Sequence, residues 1–120
     1  MQEEAALFKV LSDSTRLRLA VLLATHGEIC VCHLATSLGE PNFKISRHLR
    51  VMRSAGIVEA RREGTWMHYE LAPTLPETWM AALRALMAVW DTQTEIQATL
   101  WRLHQRADRK PGEAVGCCKE

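Results

Sequence analysis

The most constraining feature of this sequence is a short break between two segments with helical spacing. Residues 39–42, Gly-Glu-Pro-Asn, separate residues 28–38 from a segment that runs to about residue 55. Apolar residues recur at helical intervals on both sides, and a proline is tolerated where a new helix begins. Two helices joined by so short a turn form a helix-turn-helix unit. The sequence predicts this unit as the centre of the fold.

The second helix of this unit has two chemically different sides. Ile45, Leu49 and Met52 lie at i, i+4 and i+7 and predict a core-facing stripe. The other faces carry basic and hydrogen-bonding side chains that suit a DNA groove. Residues early in the helix would meet base edges or nearby phosphates, and one further along would contact the backbone. The early residues are Asn42, Lys44, Ser46, Arg47 and His48, and the backbone contact is Arg50.

A strand pattern follows the second helix. Residues 57–62 and 66–71 read as short strands joined by residues 63–65, which include a glycine, and this predicts a β-hairpin, or wing. Arg61 and Arg62 on the hairpin are expected to hold phosphate or to enter the minor groove. Residues 42–66 carry a net charge of +4, whereas the whole chain carries only +1. This asymmetry indicates a nucleic-acid surface.

Three further helices complete the predicted fold. Residues 5–11 and 15–25 have helical spacing, and Ser12, Asp13 and Ser14 suit the N-cap between them. Residues 77–106 contain neither glycine nor proline and predict a helix about 45 Å long. It is too long for a core of this size to cover, so a dimer interface is predicted at Trp79, Leu83, Leu86 and Trp90. The alternative is a helix packed wholly against its own domain.

The predicted architecture is mainly α, with about five helices and a two-stranded wing, in a homodimer. Residues 1–106 would form one DNA-binding and dimerisation domain, and residues 107–120 a flexible tail. No apolar run approaches the roughly 20 residues that span a bilayer, and the acidic N-terminus does not resemble a secretory signal. A cytosolic protein with reduced thiols is therefore expected.

The cysteines form two pairs, Cys30 with Cys32 and Cys117 with Cys118. The first pair lies at the predicted start of the third helix, where thiolates are stabilised and bind soft ions. Residues two apart on a helix point about 200° away from each other. Binding of one ion by both sulfurs is therefore expected to distort the first turn, which would couple the ion to DNA binding. The alternative is two small buried side chains.

Several segments together resemble the ArsR/SmtB family of bacterial metal-responsive repressors. These are LFKVLSDSTRLRLAVLL, GEICVCHLATSL, KISRHLRVMRSAGIVEARREGTWMHYEL and LAPTLPETW, which cover about four fifths of the chain. The motifs most resemble the arsenic-sensing branch. That resemblance implies a winged helix-turn-helix homodimer that binds an inverted repeat near a resistance operon without any cofactor. It also implies that arsenite or antimonite on the C-V-C motif releases the DNA.

One position departs from the arsenic-sensing pattern. The branch usually has a third cysteine three residues after the second, and Ala35 occupies that position. Trivalent arsenic favours three sulfurs, so Cys117 or Cys118, from the same or the partner subunit, is a candidate third ligand. Two alternatives stay open: a small thiol could complete a site with two protein sulfurs, or the tail cysteines could form a separate dithiol site.

Other sites and functions are disfavoured. His33 reads as a surface side chain rather than a ligand. Asp91 and His104 match half of the zinc site of another family branch, but Gln93 and Ala107 replace the other half. A thiol-redox regulator with the same DNA-binding unit is the alternative function. An enzyme is not expected, because no nucleophile-base set is recognisable.

Overall fold

The computed structural model describes residues 1–90. The predicted second half of the long helix, the start of the tail at residue 107, and Cys117 and Cys118 lie outside these residues. The described chain forms five helices and three short strands. In chain order these are α1 (Gln2–Val10), α2 (Ser14–His26), β1 (Ile29–Cys30), α3 (Val31–Leu38), α4 (Asn42–Ser54), β2 (Val58–Glu63), β3 (Trp66–Leu71) and α5 (Glu77–Trp90).

The helix-turn-helix prediction is confirmed by α3 and α4, and the wing by β2 and β3. Asp13 caps α2, since its carboxylate accepts a hydrogen bond from the backbone N–H of Arg16 at 3.1 Å. The wing turns through Gly64 and Thr65, and Gly64 has a φ of +64°. A two-residue hairpin loop needs this conformation at its first position, where glycine adopts it without strain.

The sheet has one strand more than the sequence predicted. The strand order is β1-β3-β2, all antiparallel, with Ile29 opposite Tyr69 and Cys30 opposite His68. The third helix therefore begins at Val31, and the prediction that it begins at Glu28 is wrong. Without β1, one edge of β3 would present unpaired backbone groups, and pairing with it outweighs the helical pattern of residues 28–30.

One apolar core holds these elements together. α2 lies at its centre and contacts α5, β3 and α4. The largest fully buried apolar side chains are Leu19, Leu22, Leu34, Ile45, Leu49, Met52, Ile57 and Val58. The predicted stripe of α4 is thus confirmed, and its burial fixes which side of α4 faces outward. Within residues 1–90, every helix is too short or too polar to cross a membrane.

Candidate thiol and nucleic-acid sites

Cys30 and Cys32 form a buried thiol pair. Their side chains are 3% and 2% exposed, and the two Sγ atoms lie 3.2 Å apart. Cys30 is the extended residue before α3, with φ −69° and ψ 143°, and Cys32 is the second residue of the helix. The bend between strand and helix turns both thiols toward the same point.

This geometry corrects the expected conflict between the two sulfurs and the helix. The prediction placed both cysteines on α3, where their side chains would diverge. Only Cys32 is helical, so the sulfurs meet while α3 is intact. Distortion of the first helical turn is therefore not needed to bring them together.

The pair lies where the wing sheet joins the helix-turn-helix unit. Cys30 belongs to β1, which pairs with wing strand β3, whereas Cys32 belongs to α3, which packs against α4. One sulfur therefore belongs to the wing sheet and the other to the helix-turn-helix unit. A ligand that binds both sulfurs would connect the wing directly to the supporting helix.

An ion-pair cluster lies on the same sheet near the thiols. The Arg61 guanidinium donates two hydrogen bonds to the Glu28 carboxylate, at 2.7 and 3.1 Å, and a third to Glu63 at 2.9 Å. The bonds from Arg61 hold the pKa of both carboxyls below the usual value, and the carboxylates raise the pKa of Arg61. Glu28 directly precedes β1, so this cluster joins the start of β1 to β2.

The side of α4 opposite the buried stripe can be located from the helical period. At about 100° per residue, Phe43, Arg47, Arg50 and Ser54 lie within about 50° of the direction opposite Ile45, Leu49 and Met52. Of these four, Arg47 and Arg50 were predicted as DNA contacts, and both are exposed. The four residues are called the front of α4 below.

The other predicted residues of α4 lie outside the front. Asn42 is exposed, and Ser46 is half-buried. Lys44 pairs with Glu40 at 3.1 Å, and His48 Nδ1 lies 3.9 Å from the Asp13 carboxylate. The Asp13 pKa is lowered, first by the Arg16 N–H bond and less by His48. Contacts of these four residues with DNA stay a prediction.

The two arginines of the wing are in different environments. Arg61 is engaged by Glu28 and Glu63, so its charge is largely balanced where it stands. Arg62 is exposed beside the hairpin turn, and no acidic group among residues 1–90 pairs with it. Arg62 is therefore the wing cation better placed to meet a phosphate.

The predicted interface residues of α5 differ in how far they are buried against their own chain. Leu83 and Trp90 are buried in the core of their own chain, and Trp79 packs partly against it. Leu86 is exposed, as is Val89 in the next turn. A contact of these four residues with a second subunit stays a prediction, and Leu86 is the most exposed of the four.

Two residues with prominent positions were not singled out from the sequence. Glu28 read as the first residue of a helix, and its pairing with Arg61, 33 positions away, has no local signal. Phe43 has neither a charge nor a hydrogen-bonding group, so the pattern of basic and polar side chains on α4 does not indicate it. Its position could have been found from the phase of the stripe, because it lies nearly opposite Ile45 and Met52.

Comparisons with known proteins agree with this arrangement. Residues 13–60 match the bacterial regulatory protein family arsR. The chain is 41% identical over 111 residues to an arsenic resistance transcriptional regulator of Pseudomonas putida, which covers 92% of this chain and 84% of that one. It is 47% identical over 77 residues to the arsenical resistance operon repressor of Escherichia coli, covering 64% of this chain and 65% of that one.

A solved structure is similar over the same region. It is the homodimeric winged helix-turn-helix DNA-binding domain of a possible ArsR-family transcriptional regulator of Mycobacterium bovis. The TM-score is 0.60 at 34% identity, and the match covers 75% of this chain and 80% of that one. The winged helix fold and its use in a DNA-binding regulator are thus shared with proteins of known structure.

Proposed function

Because the chain belongs to the arsR family of bacterial regulatory proteins, we propose that it is a transcriptional repressor controlled by arsenite or antimonite. The homodimer binds operator DNA without an inducer and releases it when the metalloid binds Cys30 and Cys32. The observation that carries this proposal is the 3.2 Å separation of two buried thiols at the junction of wing and helix.

The separation of the sulfurs allows one ion to bind both of them with little movement of the backbone. Two sulfurs each about 2.3 Å from one ion, the length of a Zn–S bond, lie roughly 3.3 to 3.8 Å apart for bond angles between 90° and the tetrahedral value. The sulfurs of this pair lie 3.2 Å apart. A trivalent, pyramidal ion such as As(III) or Sb(III) can be bound in this way. Soft thiolates also select thiophilic ions over oxygen-binding ones.

A pyramidal ion needs a third ligand. Residues 1–90 contain no group of three or more His, Cys, Asp and Glu side chains arranged to hold a metal ion. We propose that Cys117 or Cys118, from the same or the partner subunit, supplies the third sulfur. A small thiol from solution is the competing source, and the Cys117→Ser/Cys118→Ser variant distinguishes the two.

The position of the sulfurs supports a route from the ion to the DNA. The ion joins β1, which pairs with wing strand β3, to α3, which supports α4. Since both thiols are buried, a third ligand reaches the ion only if the packing around this junction opens. We propose that this opening changes the angle between wing and α4, so that the two no longer fit DNA together. A shift from 1:99 to 99:1 requires about 5.5 kcal/mol of coupling.

The outward surface supports DNA as the partner. Arg47 and Arg50 lie on the front of α4, and Arg62 is exposed beside the wing turn. In a homodimer each of these cations occurs twice, which suits an inverted repeat. Most contacts from such arginines go to phosphates and set orientation, while a few side chains at the start of the helix read bases.

Fluorescence anisotropy on operator DNA tests the proposal. The full chain is titrated onto a labelled inverted-repeat duplex with and without arsenite in reducing buffer. We expect arsenite to weaken binding of the natural sequence by at least a hundredfold. The Cys30→Ser/Cys32→Ser variant should bind equally well and show no response. Release by arsenite from that variant would contradict the thiol assignment.

A tail variant identifies the third ligand. Cys117→Ser/Cys118→Ser should bind DNA normally and need a much higher arsenite concentration for release. An unchanged arsenite response would assign the third position to a small thiol instead.

The neighbouring sulfurs also favour one alternative function, a redox regulator. Hydrogen peroxide would oxidise the two thiols to a disulfide. The two protons and two electrons that the thiols lose reduce the peroxide to two molecules of water. In that case peroxide in metal-free buffer would release DNA and dithiothreitol would restore binding. Arsenite in reducing buffer would then have no effect, which separates the two functions.

A further inference from the structure

Phe43 is a large apolar side chain on a surface that also carries two exposed arginines, Arg47 and Arg50. It is the second residue of α4, and it is 68% exposed. Single exposed apolar residues are common and need no explanation by themselves. The position of this one is informative, because it lies on the front of α4, about 30° from the direction opposite the buried stripe.

The neighbours of Phe43 identify the kind of partner. The Arg47 guanidinium carbon lies 5.8 Å from the centre of the Phe43 ring, within the range of a cation–π contact. Arg50 lies on the same front, and Lys44 is adjacent in sequence. An apolar protein partner would have to bury these charges, whereas a polyanion is attracted by them. The surroundings therefore favour nucleic acid over a protein surface.

A base edge offers the chemistry that this pair lacks. In the major groove, the C5-methyl group of thymine is the apolar feature, and side chains such as phenylalanine contact it. Arginine in the same groove binds O6 and N7 of guanine through two hydrogen bonds. The Phe43 ring would also restrict the rotamers of Arg47 before DNA arrives, which lowers the entropy lost on binding.

Resting on the proposed function, we propose that Phe43 is a specificity-determining residue that contacts a thymine methyl group and positions Arg47 for a nearby guanine. Residues 43 and 47 are separated by about 6 Å along the helix axis. Base pairs rise about 3.4 Å per step. Each half-site should therefore contain a thymine and a guanine within about two base pairs of each other.

Replacement of thymine by deoxyuridine tests this contact directly, because it removes only the methyl group. A tight-binding duplex is first selected from a randomised library with the full natural chain. Each thymine is then replaced in turn, and affinity is measured by anisotropy. Burial of one methyl-sized group corresponds to about a fourfold change, or about fifteenfold when both half-sites are changed. We expect such a loss of affinity at one thymine position, which occurs once in each half-site.

The Phe43→Ala variant should bind the selected duplex more weakly and lose this sensitivity to deoxyuridine. Phe43→Leu should retain part of it, since leucine still presents an apolar surface. Phe8→Ala is the matched control, because Phe8 is an equally exposed phenylalanine, at 70%, on α1. It should leave the ratio of thymine to deoxyuridine affinities unchanged.

Three results would overturn the proposal. The first is a natural chain that is insensitive to every thymine replacement. The second is a Phe43→Ala variant that keeps the full deoxyuridine effect. The third is a failure to select any duplex, which would also refute the proposed function. The first two results leave DNA binding and arsenite release intact, so they refute only the role of Phe43.

Discussion

Arg62 allows the DNA interface to be tested through its salt dependence. The Arg62→Ala substitution removes an exposed cation beside the wing turn that has no acidic partner among residues 1–90. Arg61, its neighbour, already shares its charge with Glu28 and Glu63. If Arg62 contacts phosphate in the complex, it releases condensed counterions from the DNA, and its loss should flatten the dependence of affinity on salt.

The size of the effect follows from the number of phosphates neutralised. Each phosphate contact contributes about 0.9 to the slope of log K against log salt concentration, so a dimer with two copies of Arg62 contributes about 1.8. Between 50 and 200 mM salt, the natural chain should therefore lose about twelvefold more affinity than Arg62→Ala. Anisotropy titrations at four or five salt concentrations measure both slopes.

A control separates local contact from net charge. Arg84→Ala removes the same charge from α5, where Arg84 pairs with Glu77. Its slope should equal that of the natural chain. Equal slopes for the natural chain and Arg62→Ala would refute phosphate contact by the wing, and a change of the same size in Arg84→Ala would show that only total charge matters.

Two further predictions concern stability and are measured by urea unfolding. Asp13→Ala should lower the free energy of unfolding by about 1 kcal/mol, because it removes the N-cap of α2, whereas Asp13→Asn should cost only a few tenths, since asparagine also caps. A loss of equal size in both variants would show that charge, not capping, is responsible. The Glu28 pKa is lowered by Arg61 in the folded chain, so its stabilising contribution is present above the unfolded pKa of about 4.3 and is lost as the pH falls through the folded pKa. The difference in stability between the natural chain and Glu28→Gln should therefore shrink on acidification from about pH 7 to pH 3, and a constant difference would contradict the pairing with Arg61.

Within residues 1–90, local patterns predicted every helix and both wing strands, with ends that differ from the structure by up to about three residues. The predicted strand at residues 66–71 coincides with β3, and the stripe of Ile45, Leu49 and Met52 is fully buried. Such patterns succeed because burial on one side imposes a period of 3.6 residues on a helix and 2 on a strand. The same period places Phe43 and Arg47 on the outer side, although only Arg47 was recognised from its chemistry.

Contacts between distant parts of the chain were beyond the reach of these patterns. β1 is two residues long and has no period of its own, so its strand character depends on the edge of β3. The pairing of Glu28 with Arg61 and the burial of Leu83 and Trp90 likewise depend on how the elements are packed. These contacts decide the surroundings of Cys30, of Arg61, and of Leu83 and Trp90, which are all candidate site residues.

The amino-acid sequence by itself determined that two cysteines lie one residue apart at the start of a helix-turn-helix unit, and that the basic residues concentrate around that unit. It did not determine the directions of the two sulfurs, because the local pattern placed both cysteines on one helix, where their side chains would diverge. Only the tertiary structure decided this, because the wing strand draws Cys30 into the sheet while Cys32 stays on α3. The bend between the two residues brings the thiols to 3.2 Å, and this distance is set by a pairing partner almost forty residues further along the chain.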